Sequence, residues 1–152
     1  MAKDNVTVDI TTLRVYNPRC NEKDYIYYKS EETKMSSFSK VNVKDDARTE
    51  LHDQLGLTGA EVSINNLPAG AGVPFVHAHK QNEEIYVVLS GKGKAVIDGE
   101  TIELACGDWV RVSPEAKRQF SASEDEAISF ACIQVKAGSL EGYTMEDAVL
   151  CE

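Results

Sequence analysis

Short alternations of apolar and polar residues fill most of the chain beyond its first third. Val62 and Ile64 alternate with polar neighbours, and residues 83–90 are rich in β-branched and aromatic side chains. Because strand side chains alternate between two faces, these patterns predict strands. Asp98-Gly99 between two such runs predicts a tight hairpin turn. Many short strands at intervals of about 8–12 residues, almost without helix, indicate an all-β sandwich or barrel.

The first third of the chain has a different pattern. Residues 1–45 combine an alternating stretch, which predicts a strand at 6–10, with polar segments typical of turns and loops. We expect an N-terminal arm, or extra strands, packed on the barrel or on a partner subunit. Residues 46–152 then form the barrel domain. Around the start of this domain, residues 45–57 suggest a short helix or a turn-rich linker, and the C-terminal tail has room for one helical turn.

Length and charge narrow the function classes. A chain of 152 residues is the size of one domain, and 42% hydrophobic with 27% charged residues is ordinary for a globular protein. With 16 basic against 25 acidic residues, the net charge is −9. Such a surface repels phosphate backbones and anionic lipid, so we expect neither nucleic acid nor a membrane as partner.

The sequence shows neither the pattern of an export signal nor closely spaced cysteine pairs. No apolar run approaches the roughly 18 residues that span a bilayer, and the N-terminus has no apolar core of a secretory signal. The four cysteines are widely spaced and form no metal-binding pair: Cys20, Cys106, Cys132 and Cys151. We expect a cytoplasmic protein with reduced thiols.

Two histidines and a glutamate form the most informative constellation. His77 and His79 are separated by one residue in an extended segment, so their imidazoles point to the same face. A tight turn at residues 80–83 would bring Glu84, which opens the next strand, back beside them. Two imidazoles and one carboxylate are the ligand set of a divalent transition-metal site, a facial triad if coordination positions stay open.

The same residues resemble the first sequence motif of the cupin superfamily. His77 and His79 match the two histidines of that motif, Glu84 follows at the required spacing, and Gly91 closes it. Glu83 also fits the spacing after the histidines. Only Glu84 keeps six residues before the glycine, so we prefer Glu84 as the ligand and expect Glu83 to be solvated.

A second cupin motif is recognisable but altered. Gly107 and Pro114 are present with one extra residue between them, and Gln119 stands where the motif has its third histidine. The resemblance covers residues 58–136 and implies a double-stranded β-helix (jelly-roll) barrel, usually dimeric, with a metal inside the barrel mouth. Three alternatives remain for Gln119: it completes the metal sphere, it bonds a metal-bound water or substrate, or the site has lost its metal.

Further residues are candidates for catalysis or for the substrate pocket. Tyr86 neighbours Glu84 in the same strand phase, and both are candidate catalytic groups. Trp109 and Arg111 share a phase, so one faces the cavity only if both do, and an inward arginine would anchor a carboxylate or phosphate. The expected pocket residues are Phe75, Tyr86, Trp109, Arg111 and Gln134.

The resemblance implies a small-molecule metalloprotein. We expect a divalent metal (Fe, Mn, Zn or Ni) and an enzyme of the dioxygenase, isomerase or lyase class acting on a small, polar, oxygen-rich substrate. The alternative is a non-catalytic module that binds a small ligand or sugar. A weaker alternative is a structural role in which the histidines are ordinary cavity residues.

Overall fold

The computed structural model describes residues 36–151 of the chain. The predicted strand at residues 6–10, and with it most of the predicted N-terminal arm, lies outside this range. Residues 36–47 form neither helix nor strand, and they are largely exposed. The regular elements begin at Arg48, close to the predicted start of the barrel domain at residue 46.

Within the described residues, the fold consists of seven strands, one short helix and a 3-10 turn at Met145–Asp147. This composition confirms the all-β prediction and the predicted helical turn in the tail. The helix, His52–Leu55, is shorter than the segment 45–57 in which it was predicted, because a strand occupies part of that segment. The elements are β1 (Arg48–Glu50), α1 (His52–Leu55), β2 (Glu61–Leu67), β3 (Asn82–Ile97), β4 (Glu100–Ala105), β5 (Trp109–Val112), β6 (Arg118–Ala122) and β7 (Ile128–Lys136).

The long strand β3 belongs to both sheets of the barrel. Its first part pairs antiparallel with β5 and β7, and β7 continues through β2 to β1. Its second part pairs with β4 and β6. The two sheets enclose one apolar core, in which Tyr86 stacks on Phe120 at a ring-centroid distance of 3.9 Å. This arrangement is the predicted β-barrel of jelly-roll type.

The sequence predicted two strands where the structure has the single strand β3. A register shift between Val88 and Ser90 marks the join, and Gly91 follows with a φ of 76°. A Cβ atom on Gly91 would lie 1.8 Å from the carbonyl oxygen of Ala127, so no other residue fits there without a shift of the backbone. The glycine therefore lets β3 bend from one sheet into the other.

The predicted hairpin turn is confirmed. Asp98 and Gly99 have φ values of 49° and 86°, and they join β3 to β4 with Ile97 opposite Glu100. Positive φ at both central residues is the geometry that an Asp-Gly turn favours.

The segment that carries both histidines does not form a full strand, although the alternation predicted extended structure. We call residues 72–79 the histidine segment. It is held to β6 by two isolated bridges, Gly72 to Ser121 and His77 to Arg118. Pro74 lies between the bridges and has no N–H to donate, so a continuous ladder is interrupted there. Among residues 36–151, no helix is long and apolar enough to cross a membrane.

Candidate metal centre

The histidine segment is anchored by backbone hydrogen bonds on both sides of His77. His77 N–H donates to the carbonyl of Arg118 at 3.2 Å, and Arg118 N–H donates back at 2.9 Å. His79 N–H donates to the carbonyl of Pro114 at 2.7 Å. The two imidazoles stand at right angles with ring centroids 5.3 Å apart. The backbone therefore fixes both rings at one end of the barrel.

Glu84 meets these rings from the inner face of β3. Its Oε1 lies 3.1 Å from Nε2 of His79, and its Oε2 lies 3.9 Å from Nε2 of His77. The carboxylate is nearly buried, while the imidazoles remain 29% and 25% exposed for His77 and His79. The opening of the centre to solvent is therefore on the histidine side.

The three side chains fit a divalent metal. One donor atom from each of His77, His79 and Glu84 lies within 4.8 Å of the others. Nδ1 of His77 is buried without a hydrogen-bond partner in the described structure, so no hydrogen bond fixes the tautomer of this ring. The structure places Glu84, and not Glu83, beside the two histidines, and the preference for Glu84 as the ligand remains a prediction. Metal binding itself remains a prediction.

Three side chains donate hydrogen bonds to the Glu84 carboxylate. The Tyr86 hydroxyl donates to Oε2 at 2.6 Å, and the Cys132 thiol donates to Oε1 at 3.4 Å. The amide nitrogen of Gln134 lies 3.5 Å from Oε1 and 3.1 Å from Nε2 of His79. The structure therefore brings Tyr86 and Gln134 to the centre, as expected. Cys132 was missed, although its strand phase with Gln134 was a usable signal.

The electrostatics of the centre favour an ionised Glu84 carboxylate and a neutral His77 imidazole. Burial alone would raise the pKa of Glu84, but the Tyr86 hydrogen bond and the electrostatic interactions with His79 and Arg118 lower it below its usual value. Burial also lowers the pKa of His77, with Arg118 and His79 adding to the shift and Glu84 opposing it. An anionic oxygen and a neutral ring nitrogen are the forms that bind metals.

Tyr86 is buried behind the Glu84 carboxylate rather than at the solvent-exposed side of the centre. It is 5% exposed, and burial is the main reason that the pKa of its hydroxyl lies far above the usual value. Its proton is committed to Glu84. The hydroxyl is therefore placed to position the carboxylate, and the direct catalytic role expected for Tyr86 remains a prediction.

Known proteins resemble this chain in both sequence and fold. A cupin protein of Bacteroides fragilis, known from its crystal structure, is 68% identical, and the match covers 78% of this chain and 100% of that protein with a TM-score of 0.75. The chain belongs to the cupin superfamily. The family model described as a cupin domain matches residues 64–134 of this cupin.

Two more distant proteins match parts of this chain, one in sequence and one in structure. An uncharacterised protein of Methanocaldococcus jannaschii is 28% identical over 86 residues, which are 57% of this chain. The match spans 64% of the length of that curated relative. A putative sugar phosphate isomerase of Acidithiobacillus ferrooxidans has a TM-score of 0.52 at 24% identity, covering 59% of this chain and 58% of that one. At this identity the likeness shows the fold alone.

Gln119 does not point into the candidate metal centre, so its prediction as a metal ligand is wrong. In β6, Arg118, Phe120 and Ala122 are buried on the inner face, whereas Gln119 points to the opposite face. The Gln119 amide donates to the carbonyl of Val73 at 2.8 Å, away from the histidines. Of the alternatives for Gln119, the two that put it beside the metal are therefore excluded by geometry.

Arg118 occupies the inner position instead. Its side chain is 0% exposed, and its Nε lies 3.2 Å from Oε2 of Glu84. Sequence reasoning missed this residue. The signal was present, because the apolar Phe120 fixes the inner phase of β6 and Arg118 shares that phase. The extra residue between Gly107 and Pro114 shifts the motif by one position, which explains the error.

Two expected pocket residues do not face the cavity. Trp109 and Arg111 lie opposite Val87 and Ile85 of β3, on the face away from Glu84. Trp109 is 68% exposed, and the Arg111 guanidinium pairs with Glu83 at the surface. Their shared phase was predicted correctly, but the inward direction was wrong, because Val110 and Val112 take the inner face.

Phe75 lies at the opening of the centre. Its ring contacts His77 edge-on at a centroid distance of 5.4 Å, and the residue is 57% exposed. An exposed aromatic ring beside a candidate ligand is consistent with the pocket role expected for Phe75, which remains a prediction.

Proposed function

We propose that this cupin binds one divalent transition metal (Fe, Mn, Zn or Ni) through His77, His79 and Glu84. We further propose that it catalyses a dioxygenase, isomerase or lyase reaction on a small, polar, oxygen-rich molecule. The observation that carries the proposal is the convergence of two imidazoles and one carboxylate at the half-open end of the barrel. This donor set suits transition metals and leaves coordination positions for a substrate.

The surrounding residues have separate tasks in this proposal. A bound metal would supply Lewis-acid chemistry to a coordinated substrate oxygen. The substrate approaches from the exposed side of the imidazoles, where Phe75 offers an apolar surface. Gln134 can orient a substrate oxygen through its amide, and Tyr86 holds the Glu84 carboxylate by its hydrogen bond.

Elemental analysis of purified, tag-free protein tests the metal site. After reconstitution with a divalent metal, we expect about one metal per chain in the wild type and little in His77→Ala or Glu84→Gln, since each variant removes one of the three donors. His52→Ala is the matched control, because the His52 imidazole is half exposed and contacts Asp53 rather than the centre. It should retain the metal.

The proposal fails if the wild type holds no metal after reconstitution with Fe(II), Mn(II), Ni(II) and Zn(II). It also fails if the two ligand variants retain as much metal as His52→Ala. The identity of the bound metal would then direct the search for a reaction, since iron supports oxygen chemistry and zinc or manganese supports isomerase or lyase chemistry.

A second candidate is a non-catalytic module for a small polar or sugar-like ligand. The ion pair between Arg118 and Glu84 favours it, because this pair neutralises the buried carboxylate without a metal. In that case metal-free protein should bind ligands in a thermal-shift screen, and His77→Ala should weaken binding while no ligand is turned over.

We also propose that this cupin is a cytoplasmic homodimer. Support for the dimer is the apolar outer face of the larger sheet, formed by Val62, Ile64, Ile85, Val87, Trp109, Ala131 and Ile133. Support for the compartment is that three cysteines among the described residues are free thiols: Cys106, Cys132 and Cys151.

A further inference from the structure

Arg118 is a completely buried cation held in a fixed position. Its Nη1 donates to the carbonyl of Pro114 at 3.1 Å, and its Nη2 donates to the carbonyl of Ser113 at 2.9 Å. Its Nε lies 3.2 Å from Oε2 of Glu84, although this N–H misses hydrogen-bond geometry and has no other partner. Backbone carbonyls therefore hold the guanidinium directly against the carboxylate.

The position of Arg118 is that of a fourth ligand. It is the bridge partner of His77 across the barrel mouth, and paired residues in an antiparallel bridge project to the same face. It also lies at the start of the inner row of β6, beside Glu84. A side chain with a lone pair at this place would face the same point as the two imidazoles and the carboxylate.

A guanidinium cannot act as that ligand. It has five N–H donors and no acceptor, and it stays protonated in proteins. Its charge repels a divalent cation at short range, and it competes with the cation for Oε2 of Glu84. A metal at the centre therefore has three protein donors and must share one of them with Arg118.

We propose that Arg118, rather than Gln119, takes the place of the fourth protein ligand and that its guanidinium sets a low affinity of the centre for divalent metal. This inference rests on the proposed function, since it concerns the same metal site. Arg118 is a positioning residue here, because it acts on the metal through Glu84. Its consequence is a centre whose metal exchanges readily and whose metal-free form is charge-balanced.

Exchanging each of two neighbouring residues for histidine tests the inference. Titration with Ni(II) in a calorimeter should show metal bound at least about tenfold more tightly by Arg118→His than by the wild type, because a repelling charge becomes a donor. Gln119→His is the matched control. It adds the same imidazole at the position that the motif alignment names, but on the outer face, so its affinity should equal that of the wild type.

A further pair of variants differs in charge at position 118 and covers the case in which Arg118→His does not fold. Arg118→Lys keeps the positive charge and Arg118→Gln removes it, while both lose bonds to the carbonyls of Ser113 and Pro114. Circular dichroism checks that each variant is folded. We expect the glutamine variant to bind Ni(II) more tightly than the lysine variant, and equal affinities would overturn the inference.

A measurement on the wild type needs no variant. On titration with Zn(II), the Nε–H resonance of Arg118 should shift in a nitrogen–proton correlation spectrum, and the side-chain amide of Gln119 should not. The reverse result would overturn the inference.

The outcomes separate this inference from the proposed function. Metal binding by the wild type without tightening in Arg118→His overturns the inference alone. Binding by Arg118→His but not by the wild type supports the inference and overturns the proposed function. Binding by neither protein overturns both.

Discussion

Both oxygens of the Glu84 carboxylate are occupied by neighbouring side chains. Oε2 accepts a hydrogen bond from Tyr86 and contacts Arg118, whereas Oε1 contacts His79 and Cys132. A buried carboxylate without partners would cost the fold several kcal/mol, so this shell of contacts is what allows an ionised group at 6% exposure.

The hydroxyl of Tyr86 should contribute measurably to stability. Tyr86→Phe removes the 2.6 Å hydrogen bond to a charged oxygen while the stacked ring is kept. We expect the free energy of unfolding in urea to fall by about 1.5–3 kcal/mol. Tyr143→Phe serves as control, because Tyr143 is 79% exposed, and it should change the value by less than about 0.5 kcal/mol. Equal effects of the two substitutions would contradict the role of the bond.

Cys132 should be chemically inert in the folded protein. Burial, and then the charge of Glu84, raise the pKa of this thiol to about 12, so almost none is thiolate at neutral pH. At about pH 8 we expect iodoacetamide to label Cys132 at least about 100-fold more slowly than the exposed Cys106, as followed by mass spectrometry. Unfolding in urea should remove the difference. Rapid native labelling of Cys132 would show that the barrel opens there.

The residue scale shows where sequence reasoning works and where it fails. His77, His79 and Glu84 could be predicted because alternation and spacing constrain them directly. Arg118 could not be found by matching a motif, because one extra residue before Pro114 shifts the correspondence by one position. In a strand, a shift of one residue exchanges the inner face for the outer one, so the motif indicated Gln119.

At the scale of elements, β3 is the strand on which the barrel is built. It spans 16 residues and pairs with four other strands, because Gly91 allows it to bend between the sheets. The sequence predicted its two parts but not their continuity. A glycine inside a strand pattern is as typical of a turn between two strands as of a bend within one strand. Only the close approach of Ala127 distinguishes the bend from the turn.

Substitution of Gly91 should disrupt the fold far more than substitution of another glycine with positive φ. Gly91→Ala places a Cβ atom 1.8 Å from a backbone oxygen and also requires an unfavourable φ. We expect a loss of about 3 kcal/mol or more in the free energy of unfolding. Gly99→Ala has the same backbone cost but open space around it, so it should lose only about 1–2 kcal/mol. Similar losses in urea denaturation would contradict this account of the bend.

For the whole molecule, the fold class was predictable because it depends on many independent signals. Several strands each contribute their own alternation, so a single error, such as the interrupted histidine segment or the unpredicted strand β1, leaves the class unchanged. Which side chains of β5 face the barrel interior could not be predicted in the same way. Valine and tryptophan both suit an inner face, and only packing against β3 decides that Val112 is inside and Trp109 outside.

The outer face gives a test of the proposed dimer. Light scattering should show a mass twice the 16.7 kDa of one chain. Trp109→Glu should shift the mass towards one chain, because a charge in an apolar interface is costly to bury. Leu140→Glu is the control, since Leu140 is similarly exposed but lies in the C-terminal tail. A monomeric wild type, or a dimer unaffected by Trp109→Glu, would refute an interface at this face.

The candidate metal centre draws its donors from two parts of the fold that differ in local stability. Glu84 lies in β3, whose amide hydrogens are bonded on both sides and should exchange with solvent only when the entire domain unfolds. His77 and His79 lie in a segment with isolated bridges, which can open locally. At short labelling times, deuterium uptake should therefore slow in residues 72–79 when metal is added, whereas β3 should take up little deuterium with or without metal. The carboxylate is thus the rigidly held donor of the candidate centre, and the two histidines are the donors that local opening can move.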